Sequence, residues 1–341
     1  MTGIICTLGT TTDDRSVLED MIASGMSCAR MNTAYASIGD YQKRLDLLRS
    51  VAHIPVMMDL KGPEARLISD RPYPIDKGTY VDIGFRDETI SFNKDFYKDL
   101  VLKDDIYLEN GTIHLKVRCK RDRQVRLEVI DPGEGEIRSG MGVNVPGRYL
   151  DVERLSAKDY SVIDFAIQNH VEYLALSFVR DHQDILNLEQ AIENIRDMYP
   201  GSIRPKMVAK IEDSYGIDNL DAIIKSAAEE GQELDVMAAR GDLGVELPIE
   251  KLPFAQQQII RTCKKHNTYV ITATDLLGSM QYGYMPTRSE VCDVYNALNM
   301  GSDALMLSGE TSNSRNPVGA VQMLHSIIEK YEKNFNRYPE A

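Results

Sequence analysis

Three charged residues directly follow short apolar runs in the middle of the chain, where they could share one metal ion. Lys210 and Glu212 stand two positions apart in VAKIED, so a β-strand would direct both side chains to the same side. Asp242 follows the next apolar run, in AARGDLG, and Gly241 beside it would let a ligand approach the backbone. Glu212 and Asp242 offer the hard oxygen ligands that Mg²⁺ and Mn²⁺ prefer. An internal ion pair between Lys210 and Glu212 is the alternative interpretation.

Polar residues follow most of the other apolar runs as well. Arg30 could bind a phosphate or a carboxylate through its guanidinium group, although a surface arginine is the commoner case. If the loop after Ala239 begins a helix, its free N–H groups would bind the same kind of anion. No P-loop or Rossmann glycine pattern occurs in the sequence. The other polar residues at these positions are Asn32, Asp59, Lys61, Ser177, Arg240, Thr274, Ser308 and Glu310.

The elements that must position these residues alternate regularly along the chain. Eight short and nearly continuous apolar runs are typical of buried parallel strands, and amphipathic stretches separate them. The predicted strands are 4–9, 28–32, 56–60, 173–178, 207–211, 235–239, 269–274 and 304–307. The predicted helices are about 14–24, 37–51, 156–169, 182–197, 214–228, 254–267, 287–299 and 317–332. This alternation predicts an α/β protein with a closed (β/α)₈ TIM barrel, and an open doubly wound sheet is the alternative.

The third strand and its helix are separated by an unusually long interval. It contains TYVDIGF, DETISF, DDIYLENGTIHLKVR and QVRLEVI, which alternate with period two and are punctuated by glycine and asparagine. These features predict a small all-β, β-barrel-like lid domain inserted after strand 3. We place it at about 67–147, over the mouth of a catalytic barrel formed by 1–66 and 148–341.

Composition excludes several classes of protein. The chain has 341 residues, which fits one α/β barrel with an insertion, and 43% of them are apolar. A net charge of −13 argues against nucleic-acid binding. No apolar run is long enough to span a membrane, and MTGIICTLGT does not have the pattern of a signal peptide. A cytoplasmic protein is therefore expected.

The chain resembles the pyruvate kinase family in a series of strings that occur in the family's order. The strongest are VAKIED, DVMAARGDLGVELP, ITATDLLGSM, PTRSEVCDVYNAL and GSDALMLSGETS. Upstream matches are ICTLGT, SGMSCARMN, MDLKGPEAR and MGVNVPG. The resemblance runs from residue 3 to about 332, and it covers the barrel and lid domains. The family's C-terminal effector domain would begin where the chain ends, so the usual allostery is not expected.

The resemblance implies a catalytic set of Lys210, Arg30 and Thr274. Lys210 would stabilise the transferring phosphoryl group and the enolate, and Arg30 would neutralise the substrate phosphate. Thr274 would assist protonation of the methylene carbon. Glu212 and Asp242 would hold Mg²⁺ or Mn²⁺. The implied carboxylate-binding residues are Ala239, Arg240, Gly241, Asp242 and Thr274.

The resemblance also implies a monovalent cation site for K⁺. Asn32, Asp59 and the Leu60 carbonyl would line it, and Glu64 matches the glutamate associated with K⁺ dependence in the family. Ala34 stands where the family has a serine ligand, which weakens this site.

Several other positions depart from the family pattern around the nucleotide. Tyr35 replaces a histidine, and Met141 replaces a basic residue of the lid. Glu109 and Asn110 stand at an acidic pair, and Asp275 replaces a glutamine. Use of ADP or ATP is therefore left open, and efficient ATP formation is not expected.

Three functions remain open at this level. The first is a pyruvate-kinase-like phosphotransferase that acts on phosphoenolpyruvate and pyruvate through a metal-stabilised enolate. The second is a metal-dependent lyase, aldolase or transferase that uses a pyruvate-type enolate without nucleotide. The third is a non-catalytic regulatory relative, which intact Lys210, Glu212 and Asp242 argue against. The expected partner is a small 2-oxo acid or phosphoenolpyruvate, and a homodimer through the barrel helices is plausible.

Overall fold

A computed structural model describes residues 2–34, 36–85 and 88–335, which form seventeen strands and ten α-helices. The strands are β1 Gly3–Thr7, β2 Cys28–Asn32, β3 Val56–Leu60, β4 Ala65–Ser69, β5 Tyr73–Pro74, β6 Tyr80–Gly84, β7 Ile90–Phe92, β8 Asp105–Leu108, β9 Ile113–Arg121, β10 Gln124–Asp131, β11 Glu136–Ile137, β12 Gly142–Asn144, β13 Tyr173–Leu176, β14 Lys206–Ile211, β15 Leu234–Ala239, β16 Val270–Ala273 and β17 Ala304–Leu307. The α-helices are α1 Arg15–Ala23, α2 Ile38–Val51, α3 Ala157–Gln168, α4 His182–Arg196, α5 Ser214–Glu229, α6 Arg240–Glu246, α7 Leu252–Lys265, α8 Arg288–Met300, α9 Gly309–Ser312 and α10 Pro317–Phe335. Short 3₁₀ helices are Thr10–Thr12, Ile249–Lys251 and Gly278–Gln281.

The eight predicted barrel strands are all present and close into a parallel barrel. Their order around it is β1, β17, β16, β15, β14, β13, β3 and β2. The first and last strands are neighbours, with Ile5 opposite Met306, so the sheet has no edge. The prediction of a (β/α)₈ barrel is therefore confirmed. Predicted strand 269–274 was one residue too long at its end because Thr274 has a φ of 75°, which no β-strand allows.

Helix boundaries follow the signals found in the sequence. Ser156 caps α3 by accepting a hydrogen bond from Asp159 N, and the Asp159 carboxylate accepts one from Ser156 N. α10 begins at Pro317, and Gly301 ends α8 with a φ of 103°. Two short helices outside the predicted set of eight, α6 and α9, follow barrel strands β15 and β17, and α6 lies at the site described below.

Apolar side chains form a separate core on each side of the barrel wall. The larger core lies between the strands and the surrounding helices, and includes fully buried Tyr41, Leu45 and Met58. A smaller one fills the barrel interior with residues such as Met57 and Val208. Because these layers fill the interior, the barrel is a packed core rather than a pore, and the carboxyl ends of its strands are the usual place for chemistry.

The insertion forms a second closed barrel, as the alternating pattern predicted. Its strand order is β10, β6, β7, β4, β12, β8 and β9, and β5 pairs with β11 separately. All the pairs are antiparallel except β6 with β7. It has its own hydrophobic core, in which Phe85, Phe92 and Phe96 pack together. The division of the chain at about 67 and 147 remains our proposal for the domain limits.

None of the helices in the described segments combines the length and apolar composition that crossing a lipid bilayer requires.

Candidate active site

Lys210 lies buried at the carboxyl end of β14, inside the ring of strand ends. Its Nζ is 2.6 Å from Ser177 Oγ, 3.0 Å from Asp59 Oδ1 and 3.0 Å from Glu212 Oε1. Burial tends to lower the pKa of Lys210, but the carboxylates of Asp59 and Glu212 outweigh it and the pKa is raised. The side chain is therefore a permanent cation at neutral pH.

Glu212 follows β14 directly and is only 1% exposed. Its Oε1 contacts Lys210, as the spacing of the two residues predicted, and its Oε2 accepts a hydrogen bond from Phe178 N at 2.6 Å. The pKa of Glu212 is raised to about 8, because burial and the Asp242 carboxylate together outweigh the lowering by the Lys210 ammonium group. The ion pair expected as the alternative is thus present, and Asp242 lies close enough to repel Glu212 electrostatically.

Glu212 and Asp242 fit a divalent metal that takes only two ligands from the protein. The described residues contain no group of three or more His, Cys, Asp or Glu side chains that could hold a metal by themselves. Mg²⁺ sites commonly use one or two carboxylates and complete their octahedron with water and substrate. Burial is the main cause of the raised pKa of Glu212, and repulsion by the nearby Asp242 carboxylate adds to it; a bound cation would relieve this repulsion.

Arg30 comes from β2 and reaches the same cluster through Asp59 at the end of β3. Its Nε and Nη2 lie 2.8 and 2.7 Å from Asp59 Oδ2, and its Nη1 donates to Thr7 Oγ1 at 2.9 Å. Burial would raise the pKa of Asp59, but Lys210 and Arg30 lower it more, and the net direction is down. Asp59 therefore holds both cations on a single carboxylate.

The residues predicted to line a K⁺ site lie beside this cluster. Asn32 is opposite Asp59 in the β2–β3 register, and its Oδ1 accepts a hydrogen bond from Ala34 N at 3.0 Å. The Leu60 carbonyl accepts a bond from Ser177 Oγ at 2.9 Å. Each of these oxygens thus already has a partner within the protein.

The loop after Ala239 begins a helix, α6, which an anion site at this position requires. Its first turn packs against Thr274: a Cβ added at Gly241 would lie 3.1 Å from Thr274 Cγ2 and 3.7 Å from its Oγ1. The Arg240 guanidinium group has its partners within the protein, and its Nη2 donates to the Thr274 carbonyl at 2.5 Å. Any contact of Arg240 with substrate therefore falls to its backbone.

Asn144 and Glu246 belong to the site but were not predicted. Asn144, on lid strand β12, donates from Nδ2 to Glu246 Oε1 at 2.9 Å and to Asp242 Oδ1 at 3.3 Å. The pKa of Glu246 is raised to about 7, because burial, with Asp213 and Asp242, outweighs the lowering by the hydrogen bond from Asn144. The available signal was the four-residue spacing of Asp242 and Glu246, which places both on one face of a helix.

The positions that differ from the family pattern at the expected nucleotide site lie mostly in the lid. Met141 packs partly against the lid core and presents no charge. Glu109 and Asn110 form a left-handed turn with φ of 47° and 55°. Asp275 is exposed next to Thr274, and Tyr35 lies outside the described residues.

The fold and the site define a (β/α)₈-barrel protein with a lysine and clustered carboxylates at its strand ends, the usual location of barrel active sites. A family model described as the barrel domain of pyruvate kinase matches residues 1–321. The chain belongs to the pyruvate kinase family.

Individual relatives agree with this assignment. The chain is 34% identical to pyruvate kinase isozyme G, chloroplastic, of Nicotiana tabacum, over 98% of this chain and 60% of that protein. It is 33% identical to a pyruvate kinase of Borreliella burgdorferi, over 98% of this chain and 69% of that one. The crystal structure of a pyruvate kinase from Cryptosporidium parvum superposes with a TM-score of 0.88 at 30% identity, covering 97% and 69% of the two chains. The chain thus spans about 60% of the length of the tobacco relative.

Proposed function

We propose that this chain is a pyruvate-kinase-like phosphotransferase that acts on phosphoenolpyruvate and pyruvate through an enolate held beside a divalent metal ion. The observation that carries the proposal is the buried Lys210 ammonium group, fixed by Ser177, Asp59 and Glu212 among the strand ends. A fixed cation of raised pKa stabilises negative charge that develops during a reaction, and it is not suited to act as a base. The names of the relatives support the same class of reaction.

Glu212 and Asp242 are the proposed ligands of Mg²⁺ or Mn²⁺. When bound, the metal would supply positive charge beside the enolate oxygen and the transferring phosphoryl group. A bound cation would also stabilise the ionised form of Glu212, whose pKa is raised by burial and by Asp242. The acidic groups around Lys210 are Asp59, Glu212 and Asp242, and Arg30 is the second cation of the cluster.

Lys210 and Arg30 are proposed to neutralise the phosphoryl group during transfer. The bond between phosphorus and the enol oxygen breaks, its electron pair stays on that oxygen, and phosphorus bonds to an acceptor oxygen. Since Asp59 holds both cations, they are already oriented before the substrate arrives. Preorganised charge of this kind is the main contribution that proteins make to phosphoryl transfer.

Thr274 and the first turn of α6 are proposed to bind the substrate carboxylate and to complete the reaction. The backbone of 239–242 offers N–H groups that have no partner within a helix. Thr274 packs on this turn, where it would assist protonation of the methylene carbon as the enolate becomes pyruvate.

The proposed acceptor is ADP, with slow formation of ATP. Met141 places an apolar side chain where the family has a cation, so less charge is available to hold the nucleotide phosphates. K⁺ is proposed to bind weakly at Asn32, Asp59 and the Leu60 carbonyl, because it must compete with existing hydrogen bonds and lacks a ligand at Ala34. A homodimer through the barrel helices is also part of the proposal.

Release of pyruvate from phosphoenolpyruvate tests the proposal, measured with and without ADP in the presence of Mn²⁺. We expect ADP-dependent release by the wild type and a loss of about 10²-fold in Lys210→Arg, which keeps the charge but cannot repeat the three Nζ contacts. Lys225→Arg, the same change on the exposed face of α5, should leave the rate unchanged. Absence of ADP-dependent pyruvate release in the wild type would refute the phosphotransferase.

The uncharged lid position at Met141 favours one alternative, a metal-dependent lyase or transferase that uses the enolate without nucleotide. Deuterium exchange into the methyl group of pyruvate separates the two functions. Metal-dependent exchange without any turnover of phosphoenolpyruvate and ADP would support the alternative, whereas turnover with ADP would exclude it.

A further inference from the structure

The turn after β16 adopts a backbone conformation that its residues do not favour. Thr274 has a φ of 75° and Asp275 a φ of 52°, two consecutive left-handed residues, neither of which is glycine. β-branched residues are especially disfavoured in this region, and such conformations persist only when the surrounding structure enforces them. Something other than the local sequence must therefore hold this turn.

Arg240 makes the contacts that can hold it. Its Nε donates to the carbonyl oxygens of Ala273 at 3.2 Å and Thr274 at 3.1 Å, and its Nη2 donates to the Thr274 oxygen at 2.5 Å. The guanidinium group thus donates hydrogen bonds to both carbonyl groups at the start of the strained turn. The side chain is 8% exposed, so water does not compete freely for these bonds.

The opposite side of the guanidinium group is anchored on two helices. Its Nη1 lies 2.6 Å from Asp293 Oδ2 on α8 and donates to Gln256 Oε1 on α7 at 3.2 Å. The planar guanidinium group of an arginine can bind the two helix side chains and the two turn carbonyls at the same time. A lysine ammonium group is too compact to reach both sets of partners.

We propose that Arg240 is a positioning residue for Thr274: it clamps the carbonyls of Ala273 and Thr274 and so keeps the threonine side chain against the first turn of α6. This role is distinct from substrate binding, since all three guanidinium nitrogens donate to groups inside the protein. The effect on catalysis rests on the proposed function of Thr274, but the clamp itself does not.

Thermal unfolding of four proteins tests the clamp without any activity measurement. They are the wild type, Arg240→Lys, Asp275→Gly and the double variant. When the clamp is lost, the strained turn of the wild type can relax, and the strain that it releases offsets part of the lost hydrogen bonding. Glycine adopts the left-handed region freely, so the Asp275→Gly background has less strain to release. We expect Arg240→Lys to lower Tm by about 2 °C more in the Asp275→Gly background than in the wild type. Equal losses in both backgrounds would overturn the proposal.

Deuterium exchange into the methyl group of pyruvate tests the consequence for catalysis, because it reports proton transfer at the carbon assigned to Thr274. We expect Arg240→Lys to lower kcat for exchange about 10- to 100-fold with little change in KM, and Asp275→Gly to restore part of it. Arg261→Lys, an exposed position on α7, is the matched control and should behave as the wild type.

The outcomes separate the two levels of the proposal. If the wild type shows neither exchange nor pyruvate release, the proposed function fails, and the unfolding cycle still decides whether Arg240 holds the turn. If the wild type is active and Arg240→Lys keeps full activity, the positioning role is refuted. A loss that the glycine variant does not restore would also count against it.

Discussion

Glu246 gives the sharpest prediction about stability, because it is an acid buried where the lid meets the barrel. Burial, which is the largest influence, raises its pKa to about 7 from an ordinary 4.5. Between these two pH values the folded state holds a proton that the unfolded state releases, so stability falls as pH rises through this window and is level above it. The difference in pKa corresponds to about 3 kcal/mol.

Glu246→Gln removes this titration and keeps the shape of the side chain. The Gln Oε1 can still accept the hydrogen bond from Asn144, so the variant resembles the protonated wild type. We therefore expect similar stability at pH 5, within about 1 kcal/mol, and a gain of up to about 3 kcal/mol at pH 8. In a chain of this size that gain raises Tm by about 5 °C.

Thermal unfolding at pH 5 and pH 8 measures the effect. EDTA is present so that no bound cation changes the pKa of Glu246 or of the acids near it. Glu250→Gln is the control, because this residue is exposed four positions further along the chain. It should match the wild type at both pH values. A Glu246→Gln difference from the wild type that is the same at pH 5 and pH 8 would refute the reasoning.

Three further predictions concern the ions and the nucleotide. Glu212→Gln and Asp242→Asn should each weaken Mn²⁺ binding at least about 10-fold in calorimetry while the circular dichroism spectrum is retained; unchanged affinity in both would remove the metal site. Ala34→Ser should increase activation by KCl over NaCl in the pyruvate assay, because it adds an oxygen ligand; no increase would argue against a K⁺ site here. Met141→Lys should lower KM for ADP about 10-fold with little effect on KM for phosphoenolpyruvate. An equal change in both KM values would show that residue 141 does not act specifically on the nucleotide.

The sequence predicted those parts of the site that depend on one strand. Lys210 and Glu212 meet because side chains two apart on a strand share a side, and this parity can be read without coordinates. Apolar runs likewise located all eight barrel strands, since buried parallel strands are nearly continuous in apolar residues. Helix ends were found where a side chain caps its own helix, as at Ser156.

What could not be predicted depends on how distant segments meet. Ser177 was noted only as a hydroxyl after a strand, and its bond to Lys210 follows from the register of β13 against β14. The contact of Asn144 with Glu246 joins the lid to the barrel across 102 positions, and no local pattern reports it. The left-handed turn at Thr274 contradicts the preference of its own residues, because tertiary contacts hold it.

The closure of the barrel by its first and last strands has a consequence for how the protein is made. β1 is synthesised first, yet one of its two neighbours, β17, emerges roughly 300 residues later, and Thr7 Oγ1 then donates to the Leu307 carbonyl at 2.9 Å. Thr7 also holds Arg30, so the anion-binding side of the site cannot be completed while the ribosome is still extending the chain through β16. Contacts of such long sequence separation fold slowly. We therefore expect this protein to acquire its activity only after β17 has emerged from the ribosome, with the β17-facing edge of β1 open to chaperones until then.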